Sequence, residues 1–454
     1  MTTVPAWPGG TLDALLAQPA SRFVATNWEA QPLHVAAAAG EADRFATLAR
    51  ALRHVPLCAR AVPALELDNL EVESAWEEAL RDGAGGASVH GQDVRLVRCA
   101  AGDDPTAGEL YYGADGSELD ASTICAAQDA GYTVAVRAAN LRSPAAAAAA
   151  SSVSECLQLP CAVNVYITPP GARGLARHYD DHCAFVLQLA GRKRWRVCTR
   201  ACGAFIPRLF ARRGAPRCSP ACTPLEVQLA RGDVLYVPRG APHDATAADD
   251  AGSEASVHAT LAVEVPPPFE MSAALHVAVR LAAKEANGVA SLAEALLHAA
   301  LRSAGDFAGR HAAELRSACL PERLADSGMR YASLVGAVLA CVSYDDAVSA
   351  AARFSAAGDE GVAWCCWLSH VPAAADEGAA WRDRADALCD AIHAAGAAPA
   401  GGDSLHIRRS FDALRAAAAA QMWPRVSAEL YALRQRYLDA FAALGRSMRV
   451  LHGE

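Results

Sequence analysis

Apolar positions recur differently in three stretches of the chain. Up to residue 93 they return every three to four positions, as over Glu41–Ala51 and Leu70–Ala79, which predicts short helices joined by loops. From Val94 to Val265 the pattern changes to short runs of apolar and β-branched residues bounded by Gly, Pro and Asp. They predict strands at Val94–Arg98, Thr133–Arg137, Ala162–Thr168, Ala184–Leu189, Trp195–Cys198, Val227–Leu229, Val234–Val237 and Val257–Val263. Short strands at hairpin spacing suit an antiparallel barrel or jelly roll. Pro266-Pro267-Pro268 is a stiff stop. Beyond it the helical period returns over Ser272–Glu285, Ser291–Ser303, Gly309–Cys319, Tyr331–Leu339, Arg382–Ala394 and Ser410–Leu451, the last broken at Pro424. The fold class expected is α+β, with an N-terminal helical segment (1–93), a β-rich domain (94–266) and helical regions at 267–345 and 346–454. No repeat of fixed period is present.

Composition changes this picture little. The chain of 454 residues is 53% hydrophobic but only 6% aromatic, because alanine runs such as Ala145–Ala150 and Ala416–Ala420 fill the difference and favour helix. Charge is more informative: 41 Lys and Arg against 50 Asp and Glu leave −9, with no basic block. Non-specific nucleic-acid binding is therefore not expected, and an acidic chain suits a basic protein partner. The fifteen cysteines are odd in number, and Met1–Gly10 lacks the basic and apolar regions of a signal peptide, so a reducing compartment is expected. Charges interrupt every long apolar stretch within ~20 residues, so no membrane partner is expected.

Candidate chemistry is concentrated in three motifs: Asn164–Gly171 (NVYITPPG), His178–His182 (HYDDH) followed by Phe185–Val197, and Gly232–His243 (GDVLYVPRGAPH). In an extended segment residues i and i+2 share a face, so His178 and Asp180 present an imidazole and a carboxylate side by side. A third ligand is available at His243, in a Gly/Pro turn after a strand, with mid-strand His258 as the rival. Two neutral imidazoles and one carboxylate leave coordination positions open, which suits Fe(II) binding a bidentate cosubstrate and O2. Strand alternation sets Lys193, Trp195 and Val197 against Arg194 and Arg196, and Asn164, Tyr166 and Thr168 against Val163, Val165 and Ile167.

Other polar residues have plainer readings. His182 reads as a solvated loop histidine, and Asp181 and Asp244 as solvent-facing carboxylates or ones that orient a ligand. Cys198, Cys202, Cys218 and Cys222 offer tetrahedral zinc ligands at loose spacing, with free thiols as the alternative. Arg192-Lys193-Arg194 has a nuclear-import composition but lies within a strand.

The three motifs resemble the JmjC/cupin ribosomal oxygenases, 2-oxoglutarate-dependent histidyl hydroxylases of ribosomal proteins, and are most similar to the nucleolar branch. Residues 160–265 carry the resemblance, and Asn27–Leu33 resembles the family's N-terminal W-x-x-x-P-L segment. It implies a double-stranded β-helix flanked by N-terminal helices and a C-terminal region of dimerisation helices and a winged helix. It also implies iron ligands at His178, Asp180 and His243; Lys193 for the distal carboxylate of 2-oxoglutarate; and Asn164, Tyr166 and Thr260 as further cosubstrate neighbours. The cofactors implied are Fe(II), 2-oxoglutarate and O2, and the partner a basic ribosomal protein, with a histone as the alternative. A homodimer and a nuclear or nucleolar location, cytoplasm being the alternative, are implied as well. Lysine demethylation at the same iron site and a non-catalytic binding scaffold are the competing functions.

Overall fold

The computed structural model describes residues 12–52, 56–57, 60–61, 88–89, 94–100, 108–113, 118–141, 143–198, 206–207, 223–250, 254–266, 269–274, 277–278, 281, 313–321, 323–324, 328, 330–331 and 423–451. The chain forms two compact units, 1–265 with 436–454, and 266–435.

The first unit opens with α1 (Leu12–Leu16), α2 (Ala20–Thr26), β1 (Leu33–Val35) and α3 (Ala46–Leu52). Two short antiparallel pairs follow, β2 (Pro56–Leu57) with β3 (Arg60–Ala61), and β4 (Ser88–Val89) with β7 (Glu118–Leu119). The remaining elements are β5 (Val94–Cys99), β6 (Glu109–Tyr111), α4 (Ala121–Asp129), β8 (Thr133–Val136), α5 (Pro144–Leu157), β9 (Cys161–Thr168), β10 (Cys183–Ala190), β11 (Lys193–Val197), β12 (Leu225–Leu229), β13 (Val234–Val237), β14 (His243–Ala247) and β15 (Ser256–Val263). An eight-stranded antiparallel sheet runs β1-β13-β10-β15-β9-β8-β5-β6, and a three-stranded one β12-β11-β14.

Side chains from both sheets meet in one core: Ala184, Val186, Leu235 and Val237 of the large sheet against Trp195, Val197 and Leu229 of the small one. Truncating a large member such as Trp195 to alanine would cost roughly 3–5 kcal/mol through lost burial and the cavity left behind. β11 alternates as expected, with Lys193, Trp195 and Val197 buried and Arg194 and Arg196 exposed. The turn into it requires glycine: at Gly191, φ is +59° and a Cβ would stand 2.5 Å from the Ala255 carbonyl oxygen.

All eight expected strands are present with small shifts at their ends, but the β-rich stretch also holds two helices that the strand pattern does not predict. Their caps explain them. The Asp120 side chain accepts from the Thr123 N–H at 2.7 Å to start α4. Ser143 caps α5 with Pro144 in the first turn, and the alanine run 145–150 lies within that helix. In the N-terminal stretch, read as helix and loop, β1 joins the large sheet by pairing with β13; three residues are too few to show alternation.

In the second unit Tyr331 packs on Trp423, ring centroids 5.3 Å apart, at the start of α6 (Trp423–Leu451). Among the described residues no helix is long and apolar enough to cross a membrane. The helices expected at Leu70–Ala79, Ser291–Ser303 and Arg382–Ala394, together with Cys202, Cys218 and Cys222, lie outside the described residues.

Candidate metal centre and its pocket

The motif histidines are brought together by backbone pairing. His178 and His243 form an antiparallel bridge: the His243 N–H donates to the His178 carbonyl at 2.7 Å, and the His178 N–H to the His243 carbonyl at 3.1 Å. His243 is thus the first residue of β14 rather than part of the Gly/Pro turn. Asp180 lies in the loop beyond the bridge, so shared orientation along one strand is not what aligns it with His178. The turn holds it instead, because the Gly240 N–H donates to the Asp180 carbonyl at 2.8 Å.

Ligand atoms of His178, Asp180 and His243 all lie within 4.8 Å of one another. Each histidine has its Nδ1 against a backbone carbonyl, Ala176 at 2.7 Å for His178 and Ala241 at 2.9 Å for His243. A carbonyl only accepts, so Nδ1 carries a proton and Nε2 is the atom turned toward the cluster. The two Nε2 atoms converge on Asp180, 3.5 Å from Oδ1 and 3.6 Å from Oδ2. Burial alone would raise the Asp180 carboxyl, but His182, His178 and His243 outweigh it and hold it well below the usual carboxylate range. An ionised carboxylate and two imidazoles whose Nδ1 atoms are committed to carbonyls, leaving Nε2 toward the cluster, are the donor set that a divalent iron-like ion takes, with further positions open toward the pocket.

His258, the rival third ligand, stands apart from this cluster. It stacks on Tyr166 at 4.9 Å with the rings 9° from parallel, and burial followed by the charge of Lys193 holds it neutral. His182 is not solvated as expected. Half-buried, it lines the pocket with Nδ1 3.1 Å from Asp181 and Nε2 3.8 Å from Asp180, and the two carboxylates draw it inward. Asp244 is buried, with Oδ2 4.0 Å from the Arg177 Nε.

The centre opens into a cavity of about 200 Å³ between the two sheets. Asn164, Tyr166, Lys193 and Thr260 all line it. Lys193 is buried; its Nζ donates to the Thr168 hydroxyl at 2.9 Å, and no carboxylate pairs with it among the described residues. Desolvation lowers its pKa to about 7. Such a cation suits an anionic ligand that would restore its charge. Asn164 accepts the Ala138 N–H on Oδ1 at 3.0 Å, which leaves its NH2 to donate elsewhere.

A buried ion pair secures the turn from behind. Arg239 donates through Nε and Nη2 to Glu29 Oε1 at 2.8 and 2.6 Å, both side chains being buried. Glu29 follows Trp28 in a left-handed conformation, φ 52°, and its N–H donates to the Tyr236 hydroxyl at 2.8 Å. Sequence reasoning missed this pair, whose members are 210 residues apart. The W-x-x-x-P-L segment and the PRGxPH turn each contain one member, with nothing in either to join them.

Two antiparallel sheets enclosing a two-histidine, one-carboxylate centre define the JmjC/cupin class, and residues 141–265 match the JmjC domain model. Over that stretch the chain is similar to the JmjC domain. Its relatives include Ribosomal oxygenase 1 of Gallus gallus, 46% identical over 91 residues, which is 20% of this chain and 15% of that protein. The Homo sapiens Ribosomal oxygenase 1 is 43% identical over 105 residues, 22% of this chain and 15% of that protein. The Bifunctional lysine-specific demethylase and histidyl-hydroxylase NO66 of Aedes aegypti is 41% identical over 107 residues, again 22% of this chain and 15% of that protein. The matches thus span a small part of each relative's length. Escherichia coli ribosomal oxygenase YcfD is similar at 18% identity and TM-score 0.30, over 54% of this chain and 51% of that one.

Proposed function

We propose that this chain is an Fe(II)- and 2-oxoglutarate-dependent oxygenase that hydroxylates a histidine side chain of a ribosomal protein. The observation that carries the proposal is the convergence of His178, Asp180 and His243 with both Nδ1 atoms committed to carbonyls, beside a buried lysine with no carboxylate partner among the described residues. The relatives' names, which join ribosomal oxygenation and histidyl hydroxylation, support the choice of target.

His178, Asp180 and His243 would hold the iron, which when bound supplies the oxidative chemistry with O2 and 2-oxoglutarate. The balance is one 2-oxoglutarate, one O2 and one C–H bond giving succinate, CO2 and one C–OH. The chain's own residues orient the reactants. Lys193 takes the distal carboxylate, and Asn164, Tyr166 and Thr260 flank the cosubstrate along the wall of the large sheet. The Ala176 and Ala241 carbonyls keep both imidazoles aimed, and the buried apolar side chains of Ala184, Val186, Trp195 and Val237 that line the cavity limit water there. Residues 94–266 are read as the catalytic domain on N-terminal segment 1–93, 267–345 as a dimerisation region and 346–454 as a winged-helix-like region. A nuclear or nucleolar location accompanies that reading.

Mass spectrometry of ribosomal proteins and histones incubated with the full chain, iron and 2-oxoglutarate tests it. A histidine gaining one oxygen is the expected product. A methylated lysine losing one methyl group, with no oxidised histidine, would replace hydroxylation by demethylation. Binding of these proteins with neither product would leave a scaffold.

A further inference from the structure

The cavity wall continues from the metal centre across β9 onto β8 and β5, where Arg95, Val97, Thr133, Ala135 and Arg137 also line it. Among the polar residues of this wall, His258 on β15 has a buried ring nitrogen, Nδ1, with no hydrogen-bond partner. Two aromatic neighbours fix the ring. It stacks on Tyr166, its partner in the β9 register, and meets Trp195 of the opposite sheet edge to face, with centroids 5.6 Å apart. It is only 3% exposed. A ring that served packing alone would be better as phenylalanine, because an imidazole taken out of water without partners costs free energy that an apolar ring of similar shape does not.

Lys193 is the cation nearest this ring in effect. Its Nζ lies 5.9 Å from the Trp195 centroid and is tethered to the Thr168 hydroxyl, which Thr133 also contacts at 3.1 Å. Burial, and after it the charge of Lys193, keeps His258 neutral, so the ring has one N–H and one bare nitrogen. A sealed N–H without an acceptor costs more than a sealed lone pair, which leaves Nδ1 bare and puts the proton on Nε2. Nε2 is then the nitrogen that can serve the cavity. A neutral donor beside an ammonium suits a carboxylate, which accepts from both, and it adds a contact without adding like-charge repulsion.

Resting on the oxygenase reading above, we infer that His258 is a further cosubstrate-binding residue, donating to the distal carboxylate of 2-oxoglutarate alongside Lys193. The ligand supplies the acceptor that the free protein lacks. Thr260, two positions along β15 and on the same face, lines the same wall, so the returning strand contributes two polar side chains to the slot rather than one.

The full chain, loaded with Mn(II) in place of iron, is titrated calorimetrically with 2-oxoglutarate in four forms: native, His258→Phe, His258→Gln and His258→Met. His258→Phe keeps the ring and removes both nitrogens. It should melt at or above the native temperature yet bind 2-oxoglutarate about 10-fold less tightly, the effect of one charge-assisted hydrogen bond. His258→Gln and His258→Met are alike in size and differ in the donor, so the first should bind the cosubstrate about 10-fold more tightly than the second. Affinity for Mn(II) itself, and for 2-oxobutyrate, which has the same oxo-acid head and no distal carboxylate, should be the same in all four. Native-like 2-oxoglutarate affinity in His258→Phe, equal affinity in His258→Gln and His258→Met, or a parallel loss of Mn(II) or 2-oxobutyrate affinity would overturn the inference. A native chain that binds Mn(II) and no 2-oxoglutarate removes the oxygenase reading, whereas 2-oxoglutarate binding indifferent to His258 removes only this residue's role.

Discussion

The two ends of the cavity are built differently. At the metal end the ligand imidazoles are buried and oriented: both Nδ1 atoms donate to carbonyls, and the turn leading into His243 is held by Gly240 in front and by the Arg239–Glu29 pair behind. At the β5–β8 end Val97, Thr133 and Ala135 are buried, but Arg95 is half-buried over the Tyr111 ring and Arg137 is exposed. The JmjC match begins at residue 141, so it covers the first end and leaves out Arg95 and Arg137. A fixed metal end suits one chemistry, while a less constrained end leaves room for different targets.

Breaking the metal end should have the largest effects. His178→Ala and Asp180→Ala are expected to reduce succinate formation to background with the fold retained, as circular dichroism would check. Retained turnover in either would remove the metal end from the comparison.

Next in size is the buried pair. Arg239→Met leaves Glu29 buried without its partner and should cost about 3–5 kcal/mol in denaturant unfolding. Arg239→Lys, which keeps the charge but loses the fork, should cost less while weakening Mn(II) binding about 10-fold, the size expected when support behind a metal ligand is lost. Unaltered metal affinity in Arg239→Lys would show that the pair stabilises the fold without positioning His243.

Lys193 gives a pH signature of intermediate size. Burial lowers its pKa from 10.5 to about 7 in the ligand-free protein, so between those values the unfolded chain binds one more proton than the folded one. Stability should therefore rise with pH across that window and level off above it, and Lys193→Met should lose this slope. Because an anionic ligand restores the lysine charge, 2-oxoglutarate binding above pH 7 should take up a proton, seen calorimetrically in buffers of differing ionisation enthalpy. The smallest effect belongs to the open end. Arg95→Gln and Arg137→Gln should each change stability by less than about 0.5 kcal/mol and leave peptide-free succinate release unchanged.

What sequence alone revealed follows the same division. His178, Asp180 and Lys193 fall within sixteen residues of one another, and strand alternation assigned Lys193, Asn164 and Tyr166 to their faces, where the structure has them. Asp120 and Ser143 cap α4 and α5 in the structure, but the strand pattern on both sides hides these helices from a reading by periodicity. The inward position of His182, the pairing of β1 with β13 and the Glu29–Arg239 contact depend on long-range packing. Arg95 and Arg137 look in sequence like ordinary polar positions of alternating strands. Their common cavity arises only when β5, β8 and β9 lie side by side.

The most direct single measurement is the conversion of 2-oxoglutarate to succinate by the iron-loaded full chain in air, compared with Asp180→Ala prepared identically. Succinate formed by the native chain and not by the variant is the predicted result. A native chain that binds iron yet forms no succinate with or without a ribosomal-protein substrate would contradict the assignment of His178, Asp180 and His243 to an oxygenase centre.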